Sequence, residues 1–196
     1  EKELDMVVDV IGRGRKVVQI HWGGGTPNYL KPHQVDRALG LFRDRFDVQP
    51  DAEISLEIDP RIGSPEQAAQ LRATGFNRIS MGVQDFEDSV QKAIGRKQSR
   101  ERTMRVFQGC RDAGFDGVNV DLVYGLPGQT YESFKHTLEE IIAIEPDRVA
   151  CFSYAHVPWV KPNQEKVDTT YMVKGYEKFE LFQLTIDMFE KAGYDW

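Results

Sequence analysis

Cysteine is scarce in this sequence. Two occur in 196 residues, Cys110 and Cys151, with no histidine cluster around either. Thiols so placed exclude a disulfide framework and any site that needs clustered thiolates. Net positive charge is missing too. The chain carries 25 Lys and Arg against 31 Asp and Glu, a formal charge of −6. That balance argues against a nucleic-acid footprint, which wants a basic face. No apolar run approaches the roughly 20 residues of a membrane helix. The opening Glu1-Lys2-Glu3-Leu4-Asp5 has neither a starting Met nor the character of a signal peptide. A cytoplasmic location is therefore expected, with no membrane or nucleic-acid partner. Linkers and low-complexity tracts are absent as well, so the chain reads as one domain. Both ends read as cut, the first inside a helix marked by Leu4, Val7, Val8 and Ile11.

What is present is a regular alternation. Strand character falls at 17–22, 53–58, 78–83, 118–123 and 148–154, all rich in Val, Ile, Phe and Tyr. Helical spacing fills the gaps. Val35, Leu39, Phe42 and Phe46 make one stripe. Ala68 and Leu71 belong to a helix opened by Ser64 as N-cap and Pro65 at the first position, with Gln67 completing a capping box. Met104, Phe107 and Cys110 mark a third helix. Phe134, Leu138, Ile141 and Ile142 mark a fourth, and Tyr176, Phe179, Phe182, Ile186 and Phe189 the last. Gly75, Gly114 and Gly193 each follow a helix and fit its C′ position. One unit ends instead at Glu145-Pro146. Repeated βα units argue a parallel sheet with right-handed crossovers, either a barrel or a doubly wound fold.

In a parallel α/β barrel, functional groups gather at the C-terminal ends of the strands. Those ends carry Gly23-Gly24-Gly25-Thr26, then Glu57 and Asp59, Gln84 and Asp85, Asp121, and Tyr154, Ala155 and His156. A glycine triplet alone fits a tight turn as well as a binding lip. Glu57 and Asp121 interrupt apolar runs, and a carboxylate buried there needs a partner. A salt bridge or a helix cap would satisfy any one of them. Five polar strand ends together favour a shared polar ligand. Backbone exposed at Gly24 and Gly25 suits an ammonium or a carboxylate. Glu57 and Asp121 suit ribose hydroxyls or an amine. Arg96 suits a carboxylate, although Lys97 and Arg100 beside it also allow a solvated surface charge. The ligand that fits is an amino acid joined to a nucleoside. The triplet lacks the Walker lysine and spacing, so a phosphate loop is disfavoured. His21 reads as a packed core histidine, His33 and His136 as solvated. His156 is open between ligand contact and a structural hydrogen bond. Both cysteines read as small buried apolar residues, and Gln129-Thr130 as an ordinary helix entry with Thr130 as N-cap.

Laid out in order, His21-Trp22-Gly23-Gly24-Gly25-Thr26-Pro27, Glu57-Ile58-Asp59-Pro60, Ser80-Met81-Gly82-Val83-Gln84-Asp85-Phe86, Asn119–Pro127 and Tyr154-Ala155-His156-Val157-Pro158 resemble the radical S-adenosylmethionine (SAM) enzymes. Within them they resemble the oxygen-independent coproporphyrinogen III oxidases. The resemblance implies an α/β fold, a TIM-like open (β/α)6 barrel, of which this chain supplies strands two to six. It implies reductive cleavage of SAM at a [4Fe–4S] cluster. The resulting radical would take a hydrogen from a propionate of coproporphyrinogen III, which loses carbon dioxide and becomes a vinyl, giving protoporphyrinogen IX. Two SAM molecules, an electron donor and a monomeric state are implied with it. Gly24 and Glu57 would contact the cluster-bound SAM. Gly25, Thr26, Gln84, Arg96, Asp121 and Ala155 would line the second. The family's Cys-x-x-x-Cys-x-x-Cys motif does not occur in this sequence. The chain alone is therefore expected to hold no cluster and to be inactive, and no metal ligand is assigned in it. The Tyr154–Pro158 stretch weighs against the haem-binding, chaperone-like sibling that shares the scaffold.

Overall fold

A computed structural model describes residues 1–195. Helix α1 (Lys2–Ile11) leads into strand β1 (Lys16–Trp22), a 3-10 turn at Pro27–Tyr29, and α2 (Pro32–Arg43). Then come β2 (Asp47–Ile58), α3 (Pro65–Thr74), β3 (Arg78–Gln84), α4 (Asp88–Ala93), α5 (Arg100–Asp112), β4 (Gly117–Tyr124), α6 (Tyr131–Ala143), β5 (Arg148–Ser153) and α7 (Gly175–Lys191). The strand order is β1-β2-β3-β4-β5. β1 with β2, β2 with β3, and β4 with β5 pair in parallel. All five expected strands are present, and the α/β class holds.

The chain divides into two compact units. One comprises Glu1–Met81 with Arg105–Val118, the other Gly82–Met104 with Asn119–Trp196. The core of the first is built from Ile20, Val35, Leu39, Ile54, Leu56, Leu71, Phe76, Ile79 and Met81. Trp22 meets Phe76 edge-on at 5.2 Å. Glu53 ties three strands together, accepting from Gln19 at 2.9 Å and from Arg78 at 2.7 Å. Asn77, just before β3, accepts the Ile54 N–H at its Oδ1 and donates from Nδ2 to the Ala52 carbonyl. The core of the second unit is Val83, Val90, Val120, Leu122, Phe134, Leu138, Ile141, Leu181 and Leu184. Each such side chain, fully buried, contributes about 1.5–3 kcal/mol.

The helix punctuation follows the sequence closely. Gly75, Gly114 and Gly193 all take positive φ, at 111°, 76° and 89°. In the unit without a glycine, Glu145 adopts φ 50° itself. Thr130 caps α6 through the Ser133 N–H. Ser64 caps α3 through the Gln67 N–H.

Three expectations need correction. Phe46 lies beyond α2, which ends at Arg43; its N–H still bonds the Phe42 carbonyl. The Gln67 side chain does not close a capping box. It pairs with Asn28, donating to the Asn28 carbonyl at 2.7 Å and accepting from Asn28 Nδ2 at 3.2 Å. β2 begins six residues earlier than expected, because Asp47 and Val48 pair with Lys16 and Val17. The register then slips before Gln19 meets Glu53. Pro50 sits in that irregularity, where a missing N–H is tolerated.

Two helical glycines have opposite consequences. A Cβ at Gly109 would stand 2.7 Å from Pro65 Cα and 2.8 Å from its Cβ, against a rigid ring. A Cβ at Gly40 would meet nothing within 4 Å. Gly40→Ala should raise stability by up to about 1 kcal/mol through helix propensity. Gly109→Ala should lower it by about 1–2 kcal/mol, because overpacking outweighs the same propensity gain. Urea midpoints of the two variants check both signs.

Candidate functional site

In the first unit, the loop after β1 is open backbone. Gly24 and Gly25 have φ of 79° and 63°, and a Cβ at either would meet nothing within 4 Å. Only glycine takes those angles without strain. Gly23 is constrained differently. A Cβ there would lie 2.7 Å from Glu57 Oε1 and 3.0 Å from His21 Nε2. Its absence lets Glu57 close on the loop, where Oε2 accepts the Gly24 N–H at 3.1 Å. His21 Nε2 is 3.5 Å from Glu57 Oε1, and its Nδ1 is 2.7 Å from Ser55 Oγ. The Glu57 side chain remains 44% exposed. A carboxylate offers about four acceptor positions, so it can hold Gly24 and still receive ligand hydroxyls. His21 is 50% exposed beside Glu57, not packed in the core as the sequence suggested. Alternation along β1 places Ile20 inward and His21 outward.

Asn28 anchors this loop, a role that no sequence pattern marks. Buried at the end of the glycine stretch, it takes the Asp59 N–H at 3.0 Å and donates to the Asp59 carbonyl at 3.2 Å. Thr26 is exposed and opens the short turn that carries Asn28. Asp59 is committed locally: its carboxylate holds the Arg61 guanidinium at 2.6 Å and the Arg61 N–H at 2.9 Å. That is the salt-bridge alternative. The same pairing raises the Arg61 pKa.

The second unit carries Gln84, Arg96, Asp121 and Ala155. Gln84 ends β3 with φ 71°, a backbone angle rare outside glycine. Arg96 lies against β3, with Nη2 donating to the Gly82 carbonyl at 3.0 Å and Nε to Gln98 Oε1 at 3.3 Å. It is half-buried, whereas Lys97 is exposed and Arg100, also exposed, pairs with Glu140. A Cβ at Gly82 would approach Gln84 Nε2 to 2.9 Å and Arg96 Nη2 to 3.0 Å. Both candidate side chains thus lie over one glycine. Asp121 sits on β4 opposite Ala150, half-buried. Ala155 follows β5, is exposed, and gives its carbonyl to Gln164 Nε2 at 3.0 Å.

Asp85 belongs elsewhere. It is fully buried. Its Oδ1 accepts the Glu87 N–H at 2.7 Å and the Thr137 hydroxyl at 3.0 Å, and Oδ2 accepts Gln129 Nε2. Gln129, read from sequence as part of a helix entry, is 1% exposed. It also donates to the Val123 carbonyl and accepts the Gly125 and Leu126 N–H groups. Desolvation raises the Asp85 pKa, and its hydrogen bonds to Glu87 N–H, Gln129 and Thr137 only partly oppose that.

Lys178 was also missed. Its Nζ donates to the Tyr154 carbonyl at 2.6 Å, lies 5.8 Å from the Tyr124 ring centroid, and has a pKa lowered by burial. Gly125 makes room for it, since a Cβ there would meet Lys178 Cε at 2.6 Å. Its position on an amphipathic helix gave no signal. Nδ1 of His156 is buried with no hydrogen-bond partner among the described residues. Cys110 is buried as expected, its thiol pushed up to about 12 by burial. Cys151 is half-buried, with Sγ 3.9 Å from Thr185 Oγ1 and a thiol pushed up to about 11. Neither is a ready thiolate. Among the described residues, no group of three or more His, Cys, Asp or Glu side chains could hold a metal ion, and no helix is long and apolar enough to cross a membrane.

Residues 1–141 match the family model of the radical SAM superfamily. The chain is 44% identical over 181 residues to an oxygen-independent coproporphyrinogen III oxidase of Escherichia coli, covering 92% of this chain and 40% of that protein. It is 42% identical over 193 residues to the protein of the same name from Synechocystis, covering 98% and 41%. The chain thus spans about two fifths of the length of these relatives. A solved coproporphyrinogen III oxidase from Escherichia coli, titled a radical SAM enzyme, superposes with a TM-score of 0.92 at 42% identity, over 97% of this chain and 44% of that one. The archaeal Elp3 of Methanocaldococcus infernus superposes at 0.68 with 18% identity, over 94% and 48%, a likeness of fold alone.

The Asp85 environment makes a signed pH prediction. A raised folded pKa means that stability from this group is fully present below the unfolded pKa and lost as pH rises through the folded one. A carboxyl titration by NMR should place Asp85 above the exposed carboxylates. Asp85→Asn should cost about 1–3 kcal/mol, because its new N–H group would face Gln129 Nε2, itself a donor. An unchanged denaturation midpoint would contradict the hydrogen-bond assignment.

Proposed function

The chain belongs to the radical SAM superfamily, and from that premise we propose that the whole protein is an oxygen-independent coproporphyrinogen III oxidase. In this reading it converts two propionates of coproporphyrinogen III to vinyls in tetrapyrrole synthesis, in the cytoplasm, drawing on an electron donor. What carries the reading is likeness to curated oxidases along nearly the whole chain. No observation favours the haem-carrier alternative.

The residues present fit SAM. Gly24 and Glu57 would take the SAM bound at the cluster, Glu57 accepting from its ribose hydroxyls with the exposed part of its carboxylate. In the first unit, Gly25 and Thr26 offer further backbone to a ligand; in the second, Gln84, Arg96, Asp121 and Ala155 would take a second SAM. The left-handed glycines let a ligand approach the backbone. Arg96, already oriented over Gly82, would present its planar fork to the amino-acid carboxylate. The residues present do not fit an iron–sulfur cluster, because two remote buried thiols cannot ligate one. When bound to the whole protein, SAM and the cluster supply the one-electron chemistry that removes a hydrogen atom from the propionate. This chain's share is binding and orientation.

The test is made on the whole protein, reconstituted anaerobically with iron and sulfide and given SAM, reductant and coproporphyrinogen III. Protoporphyrinogen IX and 5′-deoxyadenosine should appear together by mass spectrometry. Glu57→Ala should weaken SAM binding about 10- to 100-fold, the loss of a hydrogen-bonded charge worth about 1.5–3 kcal/mol. Deoxyadenosine without porphyrin product would sink the substrate assignment and leave the SAM chemistry standing.

A further inference from the structure

The second unit contains a run of buried carboxamides with no part in the roles above. Gln91 and Gln98 are each 3% exposed, and Thr103 is fully buried. Burying an amide is costly unless its donors and acceptor are matched, and here they are matched to one another. Gln91 Nε2 donates to the Asp85 carbonyl at 2.8 Å, and its Oε1 accepts the Gln98 N–H at 2.8 Å. Gln98 Nε2 donates to Thr103 Oγ1 at 3.0 Å and to the Gly82 carbonyl at 3.3 Å. Gln98 Oε1 is left for Arg96 Nε, at 3.3 Å. The Gly82 carbonyl, taken by Gln98 from one side, is taken by Arg96 Nη2 from the other.

We propose that Gln98 is a positioning residue for Arg96, and that the Gln91–Gln98–Thr103 network fixes the plane in which the Arg96 guanidinium meets a ligand carboxylate. The proposal rests on the reading that Arg96 binds the carboxylate of SAM. A free arginine side chain loses much rotamer entropy when it is held, and a bidentate contact depends on the plane of the fork. The Gly82 carbonyl alone fixes one nitrogen and leaves the plane free to turn about it. A second acceptor at Nε removes that freedom. Gln98 can supply it in one orientation only, because its amide nitrogen is committed to Thr103 and Gly82.

The experiment compares two probes in the whole protein by equilibrium dialysis, fitted to two sites so that the second is read separately: S-adenosylmethionine and decarboxylated S-adenosylmethionine, which lacks the carboxylate. The wild type should prefer the first by about tenfold or more, the value of one charge-assisted bond. Gln98→Met should cut the preference to about twofold, with little change in affinity for the decarboxylated probe. Arg96→Ala should do the same, and the Arg96→Ala, Gln98→Met double variant should lose nothing further, because the two act through one contact. A preference unchanged in Gln98→Met but lost in Arg96→Ala overturns the positioning role and leaves the reading of Arg96 intact. A preference unchanged in Arg96→Ala overturns that reading, and the proposal with it. Equal losses for both probes in Gln98→Met would show a merely structural role and also overturn the proposal. If Gln98→Met does not fold, Gln98→Asn decides: it keeps a buried amide but is one methylene too short to reach Arg96.

Discussion

Backbone groups at the ends of the strands must find partners once the sheet ladder stops, and in this protein side-chain carboxamides supply them. Asn28 satisfies both the N–H and the carbonyl of Asp59 after β2. Gln129 does the same for Val123, Gly125 and Leu126 after β4. Gln91 takes the Asp85 carbonyl and Gln98 that of Gly82. Gln164 holds the Ala155 carbonyl and the Val157 N–H after β5. An amide has a donor and an acceptor on one rigid plane, so it can match both halves of a peptide group at once. Leaving such groups buried and unmatched would cost about 1–3 kcal/mol each. The loops that carry the candidate ligand groups are held this way, independently of any ligand.

That constraint explains how the candidate residues differ. Glu57 and Arg96 are tethered through part of their hydrogen-bonding capacity, Glu57 to Gly24 and Arg96 to Gly82 and Gln98. Asp59 and Asp85 are wholly absorbed by protein partners, one by Arg61 and the other by Gln129, Thr137 and the Glu87 backbone. Three carboxylates at strand ends and one loop arginine thus divide into two that keep hydrogen-bonding capacity exposed and two that hold loops. Glycine decides which is which at two points. Gly23 admits Glu57, and Gly82 admits Arg96.

Periodicity made the elements legible. Apolar spacing gave every strand and the larger helices, and the glycines after α3, α5 and α7 marked their ends. The early start of β2 was hidden because Asp47, Gln49, Pro50 and Asp51 carry no strand pattern; pairing with β1 makes them a strand. The candidate residues Glu57 and Asp121 were picked out because a carboxylate stands out within an apolar strand. The amides did not stand out. Gln91, Gln98 and Gln129 are buried, yet no apolar pattern in the sequence marks them as internal. Their burial comes from tertiary packing alone. His21 failed for the converse reason: a histidine within a strand looks internal, but the alternation of β1 turns it outward beside Glu57.

On the proposed reading, SAM is bound by groups the folded chain already holds in place. A crystal structure of the whole protein with SAM tests it most directly. Ribose hydroxyls should lie against the Glu57 carboxylate and the carboxylate of the second SAM against the Arg96 guanidinium, with the Gln98 and Gly24 contacts unchanged. SAM bound away from both side chains, or reached only after those contacts break, would contradict it.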